Sequence, residues 1–335
     1  MKIALLINQT HKEEVAFTTT LLALTALKRD HTIIYIGLAD FIYQNERNIG
    51  AHGRVAEPDS GIDDGEDLLN TLRSNKKQII NLQEIDVLWL RFDPVLDMIN
   101  RPWAAAMGIQ FAQLVKNNGR LVVNDPDTLI QASNKLYLEN FSKEIRPKTI
   151  VTRNHEDVIA FLEEQQDKII LKPLKGSGGK NVFLIPFKER QNLKQIVEVI
   201  GRDGYVIAQE YLPEAVNGDI RFFLLDGKPI IVDGKYAAVN RVQQGNEIRS
   251  NIHQGAKAKQ AFIDEKVLNL VNKVASKLIE DNMYFVGLDI VGDKIMEINV
   301  FSPGALGQAS RLNHVDYSTA VIENLENKVK KYYSQ

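Results

Sequence analysis

Residues 285–303 read FVGLDIVGDKIMEINVFSP. Apolar residues recur at every second position on two arms: Val286, Leu288 and Ile290, then Met296, Ile298 and Val300. That is the period of a strand with one buried face. Gly292-Asp293 supplies a turn, so the spacing predicts a β-hairpin. The opposite face carries Asp289 on the first arm, then Glu297 and Asn299 on the second. A bare two-residue turn would pair Asp289 with Met296 and set an acid against a core residue. A one-residue slip flips every side chain, so one burial pattern cannot tolerate it. A three-residue loop or a bulge is therefore expected, placing Asp289, Glu297 and Asn299 on one face. Two carboxylates and an amide oxygen are hard donors of the kind that hold Mg²⁺ beside phosphates. The alternative is the solvated polar face of an edge hairpin.

Upstream, KIALLI (2–7) reads as a buried strand, 13–29 as a helix and HTIIYIG (31–37) as a second strand. This β-α-β start predicts a doubly wound α/β domain. No G-x-G-x-x-G follows the first strand, which argues against a dinucleotide site there. Residues 44–80 are polar and glycine-bearing, expected as loop with a strand near 50–57 and a helix near 65–76. IDVLWLR (85–91) is a third strand, ended by Arg91-Phe92-Asp93-Pro94. Strand ends of this kind in α/β sheets are where ligands bind; an ordinary strand-to-loop cap is the competing reading. A helix at 101–117, a strand at 119–124 and a helix at about 127–142 follow. Trp89 and Trp103 read as core or interface residues, and the histidines lack ligand spacing to one another.

A second signal lies at 169–179, IILKPLKGSGG. Gly176, Ser177, Gly178 and Gly179 form a loop whose backbone N–H groups can approach phosphate oxygens. Lys172, at the end of the preceding strand, can act as a point charge on them. The lysine precedes the glycines, so this is not the G-x-x-x-x-G-K-[ST] loop. A bare glycine-rich hairpin is as a rule structural. Joined to the acidic hairpin, it describes an ATP site between two β layers, with Lys135 as a second cation. Gln209, Glu210, Tyr211 and Leu212 lie at a strand end before Pro213, where backbone groups can meet adenine.

The 335 residues exceed the size at which one core usually stops growing. Net charge is −2, so no basic field argues for nucleic acid. No cysteine is present, which excludes a disulfide framework, a thiolate zinc site and a cysteine nucleophile. There is no signal-peptide pattern at the N-terminus and no apolar run of about 18 residues. A cytoplasmic protein without membrane contact is expected.

Together the motifs resemble the ATP-grasp carboxylate-amine ligases, and among them the bacterial glutathione synthetase family. The matching stretches are AHGR (51–54), LRFDP (90–94) with Asp97, SNKL (133–136), VTRN (151–154), IILKPLKGSGG (169–179), AQEYLP (208–213), GDIR (218–221), GLDIVGD (287–293) and EINVFSP (297–303). The resemblance implies an ATP-grasp fold: an N-terminal doubly wound α/β substrate domain (1–128) and two α+β ATP-binding subdomains (129–212 and 213–335). It implies ATP-dependent amide formation through an acyl phosphate, joining γ-glutamylcysteine to glycine in a dimer or tetramer.

It also implies roles for single residues. Lys135 and Lys172 would bind ATP phosphates and residues 176–179 would cover them. Glu210 and Leu212 would hold adenine, with Asp219 near the ribose or the metal network. Asp289, Glu297 and Asn299 would bind two Mg²⁺ ions, with Mn²⁺ as an alternative. Arg221 would sit by the acyl phosphate. Arg241, Arg249, Asn251 and Lys257 fall in a mobile lid, Arg249 with a catalytic part and the others meeting substrate. Ser302, Pro303 and Gly304 would shape the amine pocket, and Arg91 and Asp93 would face the donor.

Three stretches depart from the synthetase pattern. LRFDPVLD (90–97) lacks a second proline, the lid stretch RSNIHQG (249–255) resembles that of ligases that add glutamate tails, and Gly304-Ala305-Leu306-Gly307 follows Ser302-Pro303. A ligase for another carboxylate and amino acid is therefore an alternative. A non-catalytic ATP-binding protein is a third reading, opposed by the intact Lys172, Arg221, Asp289, Glu297 and Asn299.

Overall fold

Residues 1–44, 48–176, 178–242 and 257–334 are described in this computed structural model. The first sheet has six strands: β1 (Lys2–Ile7), β2 (Thr32–Tyr43), β3 (Ile49–Ala56), β4 (Gln78–Asn81), β5 (Val87–Leu90) and β6 (Leu121–Val123). Their order is β4-β3-β2-β1-β5-β6. β2, β1, β5 and β6 run parallel, and β3 and β4 add antiparallel strands at one edge. Ile3, Leu5 and Ile7 share a core with helices α1 (Thr18–Leu27) and α2 (Gly65–Ser74). Ala4 and Leu6 share the other core with α3 (Ala104–Asn117). Helices thus cover both faces, which is why β1 is a near-continuous apolar run. Strand order reverses between β1 and β5, so their carboxyl ends form the crevice of a doubly wound sheet.

The second sheet joins β7 (Thr149–Thr152), β8 (Lys168–Pro173), β9 (Phe183–Pro186) and β10 (Val206–Glu210) in the antiparallel order β7-β10-β8-β9. Before it lies the short α4 (Pro126–Leu129), and α5 (His155–Gln165) and α6 (Leu193–Ile200) close its separate core. The third sheet is built on β11 (Asp219–Leu225), with β12 (Lys228–Pro229) beside it. A small pair, β13 (Ile231–Val232) and β14 (Lys235–Tyr236), precedes β15 (Ala238–Val242) and β16 (Lys257–Gln260). The hairpin β17 (Phe285–Val291) and β18 (Lys294–Asn299) completes the order β16-β15-β11-β17-β18. Helices α7 (Glu265–Glu280), α8 (Leu306–Asn313) and α9 (Tyr317–Tyr333) complete the chain.

The first and third sheets share their cores. The Trp89 ring meets Tyr284 and Phe285 edge-on at 5.7 and 6.0 Å. α9 returns to α1, where Arg29 Nε donates to Glu326 Oε1 at 2.8 Å. Asn124, just past β6, accepts from Phe285 N at 2.9 Å and donates to Val300 O. One side chain therefore ties the first sheet to both arms of the hairpin.

The helix expected at 127–142 is broken. It runs as α4 and then as 3₁₀ turns at 130–132 and 135–140. The Asn134 side chain accepts from Leu136 N at 2.9 Å, an alternative to helical bonding that starts a new turn there. Trp103 is largely exposed, so of the two tryptophans only Trp89 is core.

Candidate functional site

The hairpin register decides the site. Asp289 lies opposite Glu297 and Gly287 opposite Asn299, while Ile290 pairs with Ile295 and Val291 with Lys294. The turn itself is the two residues Gly292-Asp293, with Gly292 at φ +57. A bulge between the pairs of Asp289 and Ile290 absorbs one residue, Met296. That extra residue returns Asp289, Glu297 and Asn299 to a common face, as the alternation required. The apolar face differs by one position from the expected set: Ile295 is in the core, and Met296 lines a cavity with Glu297 and Asn299.

Neighbouring strands bring cations to this face. Arg221 pairs with Asp289 across β11 and β17, and Asp219 with Arg241 across β11 and β15. Arg221 Nε donates to Asp289 Oδ1 at 2.5 Å and its Nη2 to Oδ2 at 3.0 Å. Arg241 reaches the same carboxylate at 2.8 Å and forks onto Asp219, with Nε to Oδ1 at 3.0 Å. All four are buried. Burial works against ionisation of Asp289, yet Arg221 and Arg241 outweigh it and hold the carboxyl well below its ordinary range. Burial raises the Asp219 carboxyl, and Arg241 opposes that.

The second sheet supplies the other wall. Lys135 Nζ donates to Gly176 O at 2.7 Å and to Glu297 Oε1 at 2.9 Å, linking the glycine loop to the hairpin. Lys172 Nζ donates to Gln209 Oε1 at 2.9 Å, and Gln209 Nε2 to Thr149 Oγ1 at 3.0 Å. Burial, with Lys135 nearby, lowers the Lys172 ammonium to about 8. Gly178 and Gly179 both sit at φ +71, a left-handed backbone that favours glycine. Glu210 N donates to Lys148 O at 3.0 Å, so its amide is engaged within the chain. Tyr211 carries the Lys168 ammonium over its ring at 4.2 Å. A cavity of about 120 Å³ lies between the walls, lined among others by Asp93, Lys135, Gly176, Glu297, Asn299 and Ser302.

Other expected residues lie apart from this centre. Arg91 is buried at the end of β5 and bonds to Thr19 and to Pro303 O, and it does not line the cavity. Asp93 lines the cavity, while its carboxylate accepts from Val95 N at 2.8 Å. Lys257 is exposed at the start of β16. Pro303 is buried, with Ser302 and Gly304 half-buried beside it. Ser177, Arg249 and Asn251 lie outside the described residues.

Sequence reasoning missed Asn8 and Arg101. Asn8 Nδ2 donates to Asp97 at 2.7 Å, and Arg101 forks onto the same carboxylate, fixing the loop after β5 at the sheet's crevice. Asn8 directly follows the first strand, a position where ligand-side residues are expected in this architecture.

The family models described as the prokaryotic glutathione synthetase N-terminal domain and ATP-grasp domain match residues 1–129 and 134–314. The chain is 29% identical to the glutathione synthetase of Coxiella burnetii over 98% of its own length and 97% of that protein. It is 33% identical to that of Agrobacterium fabrum, over 74% of each. Among solved structures, D-cycloserine synthetase DcsG matches with a TM-score of 0.63 at 13% identity, over 98% of this chain and 99% of that one. The macrocyclase MdnC of Microcystis aeruginosa also matches at 0.63 and 14%, over 98% and 100%. At those identities the structural likeness speaks for the fold.

Proposed function

We propose residue roles for a chain that belongs to the prokaryotic glutathione synthetase family. The family makes it an ATP-dependent carbon–nitrogen ligase that forms glutathione from γ-glutamylcysteine and glycine, releasing ADP and phosphate. In the reading proposed here, the Cys carboxylate of the donor takes the γ-phosphoryl group of ATP. The acyl phosphate so formed has a good leaving group. The glycine amine then attacks the acyl carbon, loses a proton, and phosphate departs. No covalent nucleophile from the chain is needed.

Lys135 and Lys172 offset phosphate charge, and the loop 176–179 covers it. Arg221 stands between Asp289 and Gly304 O, where it can stabilise the oxyanion of the tetrahedral intermediate. Arg249 and Asn251 keep their expected lid roles, with Arg241 and Lys257 at its two ends. Glu210 and Leu212 stay assigned to adenine, with Gln209 and Tyr211 alongside. Asp219 keeps its place near the metal or ribose. Ser302, Pro303 and Gly304 shape the amine pocket, and Asp93 the donor side.

The donor set on the hairpin fits a hard divalent cation. Asp289, Glu297 and Asn299 share one face, and the buried Asn299 Nδ2 is without a partner among the described residues. A cation on the amide oxygen would fix that otherwise unheld side chain. Mg²⁺, as two ions, or Mn²⁺ would neutralise phosphate charge when bound.

We place domain boundaries at 128/129 and 212/213, in the gaps between sheets, and a dimer or tetramer in the cytoplasm. Among the described residues no helix is long and apolar enough to cross a membrane.

The observation that carries the reading is Lys135 bridging Gly176 O and Glu297. The test is incubation with γ-glutamylcysteine, glycine, ATP and Mg²⁺, with phosphate and product followed together. Phosphate release that needs both substrates and yields glutathione supports it. Release driven by a different acid or amine in a substrate panel would refute the substrate assignment.

A further inference from the structure

The segment Ser302–Ala305 joins β18 to α8, and its backbone is held at two carbonyls and at the first residue of α8. Arg221 Nη1 donates to Gly304 O at 3.2 Å, and Leu306 N donates to Thr18 Oγ1 at 3.3 Å. Arg91 Nη2 donates to Pro303 O at 3.3 Å. Ala305 sits at φ +82, a left-handed conformation that a residue with a Cβ keeps only where its surroundings hold it. Beneath the segment, a Cβ on Gly287 would meet both Arg221 Cδ and Pro303 Cβ at 2.9 Å. The backbone is therefore tightly seated.

Arg91 is the contact the reaction does not explain. It belongs to the first sheet and is 2% exposed. Its Nε donates to Thr19 Oγ1 at 3.2 Å, and its guanidinium lies over the rings of Trp89 and Phe285 at 5.8 and 5.3 Å. A buried guanidinium is costly unless its donors and its charge are used. The rings and the two hydrogen bonds set its direction toward Pro303, with Nη1 buried and without a hydrogen-bond partner among the described residues.

We propose that Arg91 is a positioning residue for the acceptor amine, fixing the Pro303 carbonyl and through it the Ser302–Gly304 segment. This rests on the reading of that segment as the amine pocket. It departs from the expectation that Arg91 faces the donor. Attack geometry is exacting, since misplacement by about 1 Å can cost about a hundredfold in rate. A strut from one sheet to a segment of another is a direct way to hold it.

The test uses the full chain with Arg91→Met, Arg91→Lys and Thr19→Val, measuring KM for glycine, γ-glutamylcysteine and ATP in turn. Loss of a charge-assisted bond predicts a glycine KM about tenfold higher or more in Arg91→Met. The donor KM should stay within about twofold, because in this proposal Arg91 acts on the amine segment and not on the donor. Arg91→Lys should recover part of the loss, and Thr19→Val should move glycine KM in the same direction by less. A raised donor KM with glycine KM unchanged overturns the proposal, and so does an equal change in all three substrates. Ser302→Ala separates the two readings. If it raises glycine KM while the Arg91 variants do not, the pocket stands and the strut fails; if it leaves glycine KM unmoved, the pocket reading itself fails. Should Arg91→Met not fold, Thr19→Val carries the test, since it removes one bond and keeps the charge.

Discussion

Glu13→Gln should change how stability depends on pH, by an amount the structure sets. Glu13 is 6% exposed and its Oε2 has no partner among the described residues. Burial pushes its carboxyl from 4.5 up to about 7, against the pull of Arg91 and Arg73. Below pH 4.5 both folded and unfolded chains carry the proton. Between there and 7 the unfolded chain has released a proton that the folded chain retains, so stability falls as pH rises. Above about 7 both are ionised and the loss is complete. At about 1.4 kcal/mol per pH unit of displacement, the fall comes to about 3–4 kcal/mol. Glutamine cannot ionise, so the variant lacks this fall. Its amide can be left unpaired at a cost of about 1–3 kcal/mol, which shifts its curve vertically but leaves the slope flat. Urea unfolding of both proteins from pH 4 to 8.5 reads the difference between the curves. Parallel curves would refute the argument, showing that Glu13 is hydrated or paired in solution.

Glu297→Gln should lower kcat by about a hundredfold or more, in line with losing one charged group aimed at the transition state, with Mg²⁺ titration of turnover as the check. Asp289→Asn should do the same and also destabilise by about 3–5 kcal/mol, because it leaves two buried arginines short of a partner; thermal melting separates the two variants. Lys172 is lowered to about 8 by burial first and Lys135 second, so it is charged below that pH and neutral above. The kcat/KM for ATP should therefore fall as pH rises through 8, and Lys172→Arg should remove that limb. Asn124→Ala leaves Phe285 N and Val300 O without their partner, for about 2–5 kcal/mol of stability; substrate KM values should not move, and denaturant midpoints measure the loss.

The hairpin was legible because one face had to be apolar and one polar, and only an irregularity could reconcile that with Gly292-Asp293. Which residue would bulge was not legible. Ile295 and Met296 are both apolar, and the choice falls to the core that receives Ile295. β4, reading QIIN, was lost in a polar stretch since three of its four residues are exposed at a sheet edge. α8 is short, and its buried Leu306, Ala309 and Asn313 give a weak pattern. Arg91 was legible as a charge at a strand end. Its direction was not, because Thr19 and Pro303 are distant in sequence and meet it only when α1 and the third sheet pack on the first.

The same limit explains why the direct pairing of the hairpin acids with Arg221, Arg241 and Lys135 was not legible in the sequence. In the fold they are one another's partners. Asp289 lies between Arg221 and Arg241, Asp219 forks with Arg241, and Glu297 meets Lys135. A buried carboxylate is tolerated only when paired, and a buried arginine likewise. Arg221, Arg241, Lys135, Asp219, Asp289 and Glu297 are thus counter-charges for one another, so the electrostatics of this centre are part of the fold's own balance. A cation arriving at Asp289 and Glu297 must share them with Arg221, Arg241 and Lys135. On the roles proposed above, loosening those pairs would free the arginines and the lysine for phosphate and acyl oxygens. On this view Arg241→Met should alter metal affinity and ATP affinity together. Arg241 on β15 reaches both Asp219 on β11 and Asp289 on β17, so on the roles proposed above its removal disturbs both ends of one charged lattice.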